Sequence, residues 1–381
     1  MSGHDPGRPT RAEINLDNLC HNLESVKSFI KKPVAIMAVV KADGYGHGAA
    51  ACARRLEKAG IDWFGVALPE EGAELRRAGI TRPILCLGGF WEGQEKFILE
   101  NDLTPVIFQA EKAKLLDRAA LELKRRARAH IKIDTGMGRV GVRYDDIENF
   151  AGQIKRLENI DFEGIMTHFA AADCFEEQKF THLQIERFKE AFAFFESEGF
   201  HFLYKDLANS PASLAYPEAH ANLIRLGGIL YGLGSDVLPV WVDKPPLKPV
   251  MALYSEVSLL KWIRKGETLG YSRTFRAPRD SLIASVPIGY EDGYRRAFSN
   301  RGRVIVKGKF APVVGRISMD WTLVDVTDIA GVKTGDKVIL MGSEDDLRIT
   351  AEELAEWAGT ISYEITCGIN KRVRRVYVES K

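Results

Sequence analysis

Val34-Ala35-Ile36-Met37-Ala38-Val39-Val40-Lys41-Ala42-Asp43-Gly44-Tyr45-Gly46-His47-Gly48-Ala49 joins an unbroken apolar run to a lysine and a glycine-rich turn. The run is short and bounded by Lys31-Lys32-Pro33, which suits a strand buried on both faces, as in a parallel sheet. Lys41 then stands at the carboxyl end of that strand. An ammonium there must be desolvated or paired, and desolvation lowers a lysine pKa toward that of a nucleophile able to form a Schiff base. The glycines allow close backbone approach to a ligand, and a helix beginning at Ala49 would offer N–H groups to an anion. Two other readings stay open at this point. One is a snorkelling lysine before a flexible turn. The other is a dinucleotide loop, since Gly44-x-Gly46-x-x-Ala49 fits that fingerprint with Glu70 or Glu71 as the ribose acid.

Outward from this stretch, apolar runs at 61–67, 83–87, 104–108, 130–134, 162–168, 205–208 and 222–226 bring the strand count to eight. Helical patterns lie between them at 70–78, 92–100, 111–126, 145–157 and 177–198. Eight strand–helix units predict an α/β fold, a (β/α)8 TIM-type barrel, rather than a doubly wound sheet. Arg11–Asn15 reads as a strand before the helix Leu16–Ile30. The stretch 238–249 holds four of the fifteen prolines and marks a boundary. Short β-like runs follow at 254–263, 281–288, 303–306, 311–317, 321–326 and 337–341, then one helix opened by Thr350-x-x-Glu353, then a basic closing strand over 367–378. The expected domains are a barrel over 1–240 and a smaller, mainly β domain over 241–381, which the strand near 11–15 is a candidate to join.

Composition narrows the function classes. The chain has 381 residues, 45% hydrophobic and 28% charged, and 53 basic against 52 acidic residues leave a net charge of +1. No global field favours nucleic acid or an anionic membrane, so a small-molecule partner is expected. Cys20, Cys52, Cys86, Cys174 and Cys367 form no C-x-x-C pair, which fits reduced thiols in the cytoplasm rather than a disulfide framework or a metal site. Residues 1–9 lack the apolar core of a signal peptide, and the first residues are expected to be disordered.

Ligands of such a barrel lie at the carboxyl ends of the strands. Those ends carry Lys41, then Lys132 running to Arg139, then Thr167-His168, Asn209-Ser210, and Arg225-Leu226-Gly227-Gly228. Ser210 and the Gly227-Gly228 backbone suit a phosphate after the last two strands. An amine with a phosphate cradle points to pyridoxal phosphate, with Arg225 donating to the pyridine nitrogen and His168 holding the guanidinium. Taken singly, His168 can be a core histidine, Asn209-Ser210 a helix cap and Arg225 a surface ion-pair partner. Their shared position at strand ends favours the functional set.

The stretch 39–49 resembles the cofactor-lysine signature of the alanine racemases. The resemblance continues through 130–141, Met166-Thr167-His168-Phe169-Ala170, Asn209-Ser210, Arg225-Leu226-Gly227 and Tyr231-Gly232-Leu233. In the second domain it takes in Gly270-Tyr271-Ser272, Ile288-Gly289-Tyr290 and Gly315-Arg316-Ile317-Ser318-Met319-Asp320. It implies interconversion of L- and D-alanine by two bases on pyridoxal phosphate bound to Lys41, supplying D-alanine for peptidoglycan. By the same resemblance Tyr45, Ser210 and Gly227 contact the phosphate, with His168 and Asn209 beside the cofactor. Arg225 faces the pyridine nitrogen, and Arg139 lies near the phenolic oxygen and the substrate carboxylate. Lys132 is a candidate for carbamylation. Tyr271, otherwise a cross-strand packing residue, becomes the second base, contributed with Met319 and Asp320 by the partner subunit of a head-to-tail homodimer. Tyr290 is an entrance residue. Where relatives often place a tyrosine, the chain reads Asn370-Lys371-Arg372, and Lys371 brings a different shape and charge to the entrance. A serine or lysine racemase, a non-catalytic cofactor carrier and a decarboxylase are the rivals. Tyr271 and the second domain argue against the carrier, and Arg225 against the decarboxylase, which usually places an acid there.

Overall fold

The computed structural model describes residues 7–30 and 32–379. Residues 1–6, expected to be disordered, lie outside them. The chain divides into two compact units, Leu19–Leu230 with Val237–Leu247, and the remainder. The boundary expected at 240/241 lies inside Val237–Leu247, a segment of the larger unit, and the chain passes between the units for the last time at Leu247/Lys248.

The larger unit is a closed barrel. Its strands are β2 (Ala35–Val39), β3 (Trp63–Val66), β4 (Ile84–Cys86), β5 (Thr104–Ile107), β6 (Ala127–Asp134), β8 (Ile160–Met166), β9 (Tyr204–Asp206) and β10 (Leu223–Leu226), with the two-residue β7 (Val142–Arg143) beside β6. The order β5-β4-β3-β2-β10-β9-β8-β6 closes through β5–β6, and all these pairings are parallel. The eightfold strand count expected from the apolar runs is therefore present. Met37, Trp63, Leu85, Val106, Met166 and Leu223, one from each of six strands, pack as a buried cluster, each side chain worth about 1.5–3 kcal/mol of burial. The two strands absent from that cluster, β6 and β9, place Lys132 and Asp206 in register with Met166. In-register residues of parallel strands share a face, so the apolar plug is interrupted by an amine and a carboxylate.

The smaller unit is mainly β. β1 (Arg11–Asn15) pairs antiparallel with β11 (Met251–Glu256) and parallel with β21 (Arg374–Val378). These belong to a sheet of order β17-β16-β19-β11-β1-β21, formed with β16 (Arg303–Val306), β17 (Lys309–Pro312) and β19 (Lys337–Glu344), on which β20 (Leu347–Ile349) pairs with β19. β12 (Leu259–Ile263), β15 (Ser281–Val286) and β18 (Thr322–Asp325) make a second sheet, and β13 (Thr268–Leu269) and β14 (Phe275–Arg276) a small hairpin. Two expectations are corrected here. Two helices, Ala351–Ala358 and Ser362–Gly368, stand where one was expected, the first capped by Thr350 Oγ1 accepting from Glu353 N at 3.1 Å. The closing strand starts only at Arg374, because Cys367 and Gly368 finish the second helix and residues 370–373 form a turn, with Val373 N bonded to Asn370 O. No helix among the described residues is long and apolar enough to cross a membrane.

Candidate active site

Lys41 lies two residues past β2, half-buried. The turn after it is left-handed: Ala42, Asp43, Gly44 and Tyr45 have φ of 52°, 52°, 62° and 54°. It closes with bonds from Gly44 N to Val40 O and from Gly46 N to Ala42 O. This hand costs an L-residue about 1–2 kcal/mol, and three of the four are not glycine. Three side chains hold the turn. Glu71 accepts from Ala42 N at 2.7 Å through Oε1, and from Ala67 N and Leu68 N at 2.7 and 3.1 Å through Oε2. Asp43 Oδ1 accepts from Ala49 N at 2.7 Å, and the His47 ring nitrogen Nδ1 lies 2.9 Å from Gly44 O and Tyr45 O.

These bonds correct two sequence readings. At the N-terminus of the helix Ala49–Lys58 the Ala49 N–H is already bonded to Asp43 of the same chain, which sets a carboxylate where an anion was expected. Glu71 is committed to backbone and Glu70 to Gln94 Nε2 at 2.7 Å, so neither stands ready as a ribose acid. The dinucleotide alternative loses both its anion site and its acid.

The turn brings Tyr45 to the end of β10. A Cβ built on Gly227 would meet Tyr45 Oη at 2.7 Å and stand 3.9 Å from Ser210 Oγ. Gly227 N donates to Ser210 Oγ at 2.9 Å, so the serine hydroxyl keeps its own proton for another acceptor. Asn209 Oδ1 accepts from Ala212 N at 3.1 Å and caps the helix Ser210–Ala215, as its bland reading expected. A glycine, a hydroxyl and a phenol thus converge at the ends of two neighbouring strands.

Arg225 is a buried barrel residue, 3% exposed, rather than a surface one. Its Nη1 pairs with Asp206, and its Nη2 donates to Thr167 O at 3.0 Å, Leu207 O at 3.3 Å and His168 Nδ1 at 3.1 Å. That last bond requires a proton-free Nδ1, and burial together with Arg225, Lys132, Arg139 and Lys41 holds the His168 pKa well below its usual value. Burial pushes Lys132 down to about 8, assisted by Arg225, Arg139 and Lys41 and opposed by Asp206. Lys132 and His168 therefore both feel the positive charges of Arg225, Arg139 and Lys41. Arg139 itself is exposed, on a loop anchored by Asp134 Oδ1, which accepts from Gly136 N and Gly138 N at 3.0 Å each.

Asp206 and Gln184 were missed by sequence reading, and Glu71 was named there only as a candidate ribose acid. Gln184 Nε2 donates to Thr135 Oγ1 and His168 O at 3.0 and 3.1 Å, and its Oε1 accepts from Ala170 N at 3.0 Å, tying the loops after β6 and β8. The presence of two acids after the second barrel run was the only signal for Glu71.

The remaining candidates lie on the smaller unit. Tyr271 is 64% exposed on a short turn after Gly270, which has φ of 70° and whose Cβ would stand 3.0 Å from Arg316 N. Tyr290 N donates to Ser318 O and Glu291 N to Met319 O, at 3.0 and 3.2 Å, so the loops carrying Tyr290, Met319 and Asp320 are joined. Asp320 accepts from Arg372 Nη2 at 2.6 Å, and Arg372 Nε lies 3.5 Å from Asp292. Lys371 is exposed in the turn before β21.

Comparison with known proteins adds relatives along most of the chain. The family described as alanine racemase, N-terminal domain, matches residues 14–235, and its C-terminal domain matches residues 250–377. The alanine racemase of Geobacter sulfurreducens is 47% identical over 376 residues, covering 97% of each chain. A solved alanine racemase of Clostridium difficile 630 superposes with TM-score 0.91 at 37% identity, over 97% of this chain and 96% of that one. A solved alanine racemase of Bartonella henselae, with covalently bound pyridoxal phosphate, gives TM-score 0.86 at 28% identity, over 97% and 99%.

Proposed function

This chain belongs to the alanine racemase family, and we propose that Lys41 and Tyr271 are the two bases with which it interconverts L- and D-alanine on pyridoxal 5'-phosphate. The barrel fits that cofactor. A side chain at position 227 would collide with Tyr45 Oη, so the space beside Tyr45 and Ser210 is kept open to a phosphate, with Asn209 fixing the local turn. Arg225 is held by Asp206, His168 and two carbonyls, which suits a fixed donor to the pyridine nitrogen. The convergence of Lys41, the Gly227 cradle and Arg225 on one set of strand ends is the observation that carries this reading.

When bound, the cofactor delocalises the electron pair left at Cα. What is asked of the protein is one base on each face of that carbon. Lys41 serves the face of the D-isomer's proton and Tyr271 of the partner subunit that of the L-isomer. Arg139, with Met319 and Asp320 of the partner subunit, would hold the substrate carboxylate. Lys132 in carbamylated form would give Arg139 an anionic partner. A guanidinium is effectively never deprotonated, so Arg225 would bond the ring nitrogen without surrendering a proton and would moderate the electron sink.

A head-to-tail homodimer, each site drawing on the barrel of one subunit and the smaller unit of the other, is supported by the exposure of Tyr271, Tyr290, Met319 and Trp321 on that unit. Tyr290 and Lys371 would then flank the entrance. The product would feed peptidoglycan synthesis from the cytoplasm. The test is purified protein with L-alanine in heavy water, following D-alanine and deuterium at Cα by chiral separation and mass. Both should appear and both should vanish in Lys41→Ala. Exchange without inversion would mean that one base is missing, pointing to Tyr271 or to the dimer, and neither signal with cofactor bound would leave another amino acid or a cofactor carrier.

A further inference from the structure

We propose that Glu71 is a positioning residue of this site, clamping residues 42–45 in their left-handed turn so that Tyr45 stays on the phosphate cradle. The inference rests on the cofactor reading above. One carboxylate accepts three backbone N–H bonds, one from the turn after β2 and two from the loop after β3. It thereby ties the loop behind Lys41 to the neighbouring strand end. The bond to Ala42 N falls on the first residue of the strained turn, and Tyr45, whose φ is 54°, is the last. Returning Ala42 and Asp43 to right-handed geometry would redirect the chain that carries Tyr45 to Gly227.

A group that only stabilised the fold would affect every ligand of the barrel alike. A clamp acting through Tyr45 should affect the phosphate end selectively. The cofactor and pyridoxal differ by that phosphate alone, so the ratio of their dissociation constants isolates the contribution of the cradle.

The experiment uses full-length apoprotein and measures binding of pyridoxal 5'-phosphate and of pyridoxal by absorbance, alongside the unfolding midpoint. In Glu71→Gln the amide has one acceptor oxygen where the carboxylate had two, so one loop is released. The preference for the phosphorylated form should fall about tenfold, the scale of one lost charge-assisted hydrogen bond. Adding Ala42→Gly, which removes the Cβ penalty of the left-handed turn, should restore most of that preference. Should Glu71→Gln fail to fold, Glu71→Asp, whose shorter arm cannot span both loops, is read in the same way. An unchanged ratio with a lowered midpoint, or no recovery with Ala42→Gly, overturns the clamp. Wild-type protein that does not prefer the phosphorylated form overturns the cofactor reading and the clamp with it.

Discussion

Asp206 and Arg225 form an ion pair inside the barrel, and the second carboxylate oxygen, Asp206 Oδ2, is buried without a hydrogen-bond partner among the described residues. Burial raises the Asp206 pKa while Arg225 opposes the rise. Removing one member of such a pair leaves a buried charge uncompensated, at a cost of about 3–5 kcal/mol. Asp206→Ala should lose that much folding free energy in urea titrations. The double variant Asp206→Leu with Arg225→Met should recover most of it, since an apolar pair removes both charges. A loss under about 1 kcal/mol in the single variant would remove Asp206 as the counter-ion.

Arg225→Glu tests the moderated electron sink. A carboxylic acid can hand a proton to the pyridine nitrogen, which a guanidinium does not readily do. Transamination, read as pyruvate released per D-alanine formed, should rise relative to racemisation. The same ratio in variant and wild type would sink the idea.

Lys132 carries a pH signature. Its amine, pushed down to about 8, is substantially neutral above that pH, whereas an ordinary lysine remains charged to beyond 10. Only the neutral amine adds carbon dioxide, releasing a proton as the carbamate forms. Protein equilibrated with 13C-bicarbonate should show a carbamate resonance that grows as pH rises through 8 and is missing from Lys132→Ala. A resonance that persists in the variant would place the modification elsewhere.

His130 is fully buried, its pKa pushed down to about 3 from 6.5 by burial, with Arg225 and Arg128 adding to the shift. Below 6.5 the unfolded chain takes up a proton that the native one refuses until about 3. Its contribution to stability is therefore complete above 6.5 and declines as pH falls, by up to about 1.4 kcal/mol per pH unit. Glu163, 3.9 Å away and raised by burial, works in the opposite sense. Comparing wild type with His130→Gln between pH 6 and 4 isolates the histidine, and the variant should lose stability less steeply.

Much of this architecture was readable because the barrel strands are short apolar runs between turn residues, and because Lys41, His168, Ser210 and Arg225 all fall at or near the carboxyl ends of those runs. β9 shows the other side. Tyr204-Lys205-Asp206 holds no aliphatic residue, and the carboxylate gains its meaning only from Arg225 on the next strand. The left-handed turn was equally hidden, since Ala42 and Asp43 carry no glycine signal and the acid bonded to Ala42 N, Glu71, comes from the first turn of the helix Pro69–Arg77. The helix Ser362–Gly368 was not foreseen, and its last two residues, Cys367 and Gly368, fell inside the expected closing strand.

β1 has a consequence for synthesis on the ribosome. It emerges before any barrel strand, yet its parallel neighbour β21 begins at Arg374. At about 5–20 residues per second the nascent chain holds an unmatched strand for tens of seconds, while the barrel residues are already outside and free to assemble. The charged side chains Arg11 and Glu13, alternating with the buried Ala12 and Ile14, would keep one face of that waiting segment soluble and discourage its pairing with a neighbouring polysome product.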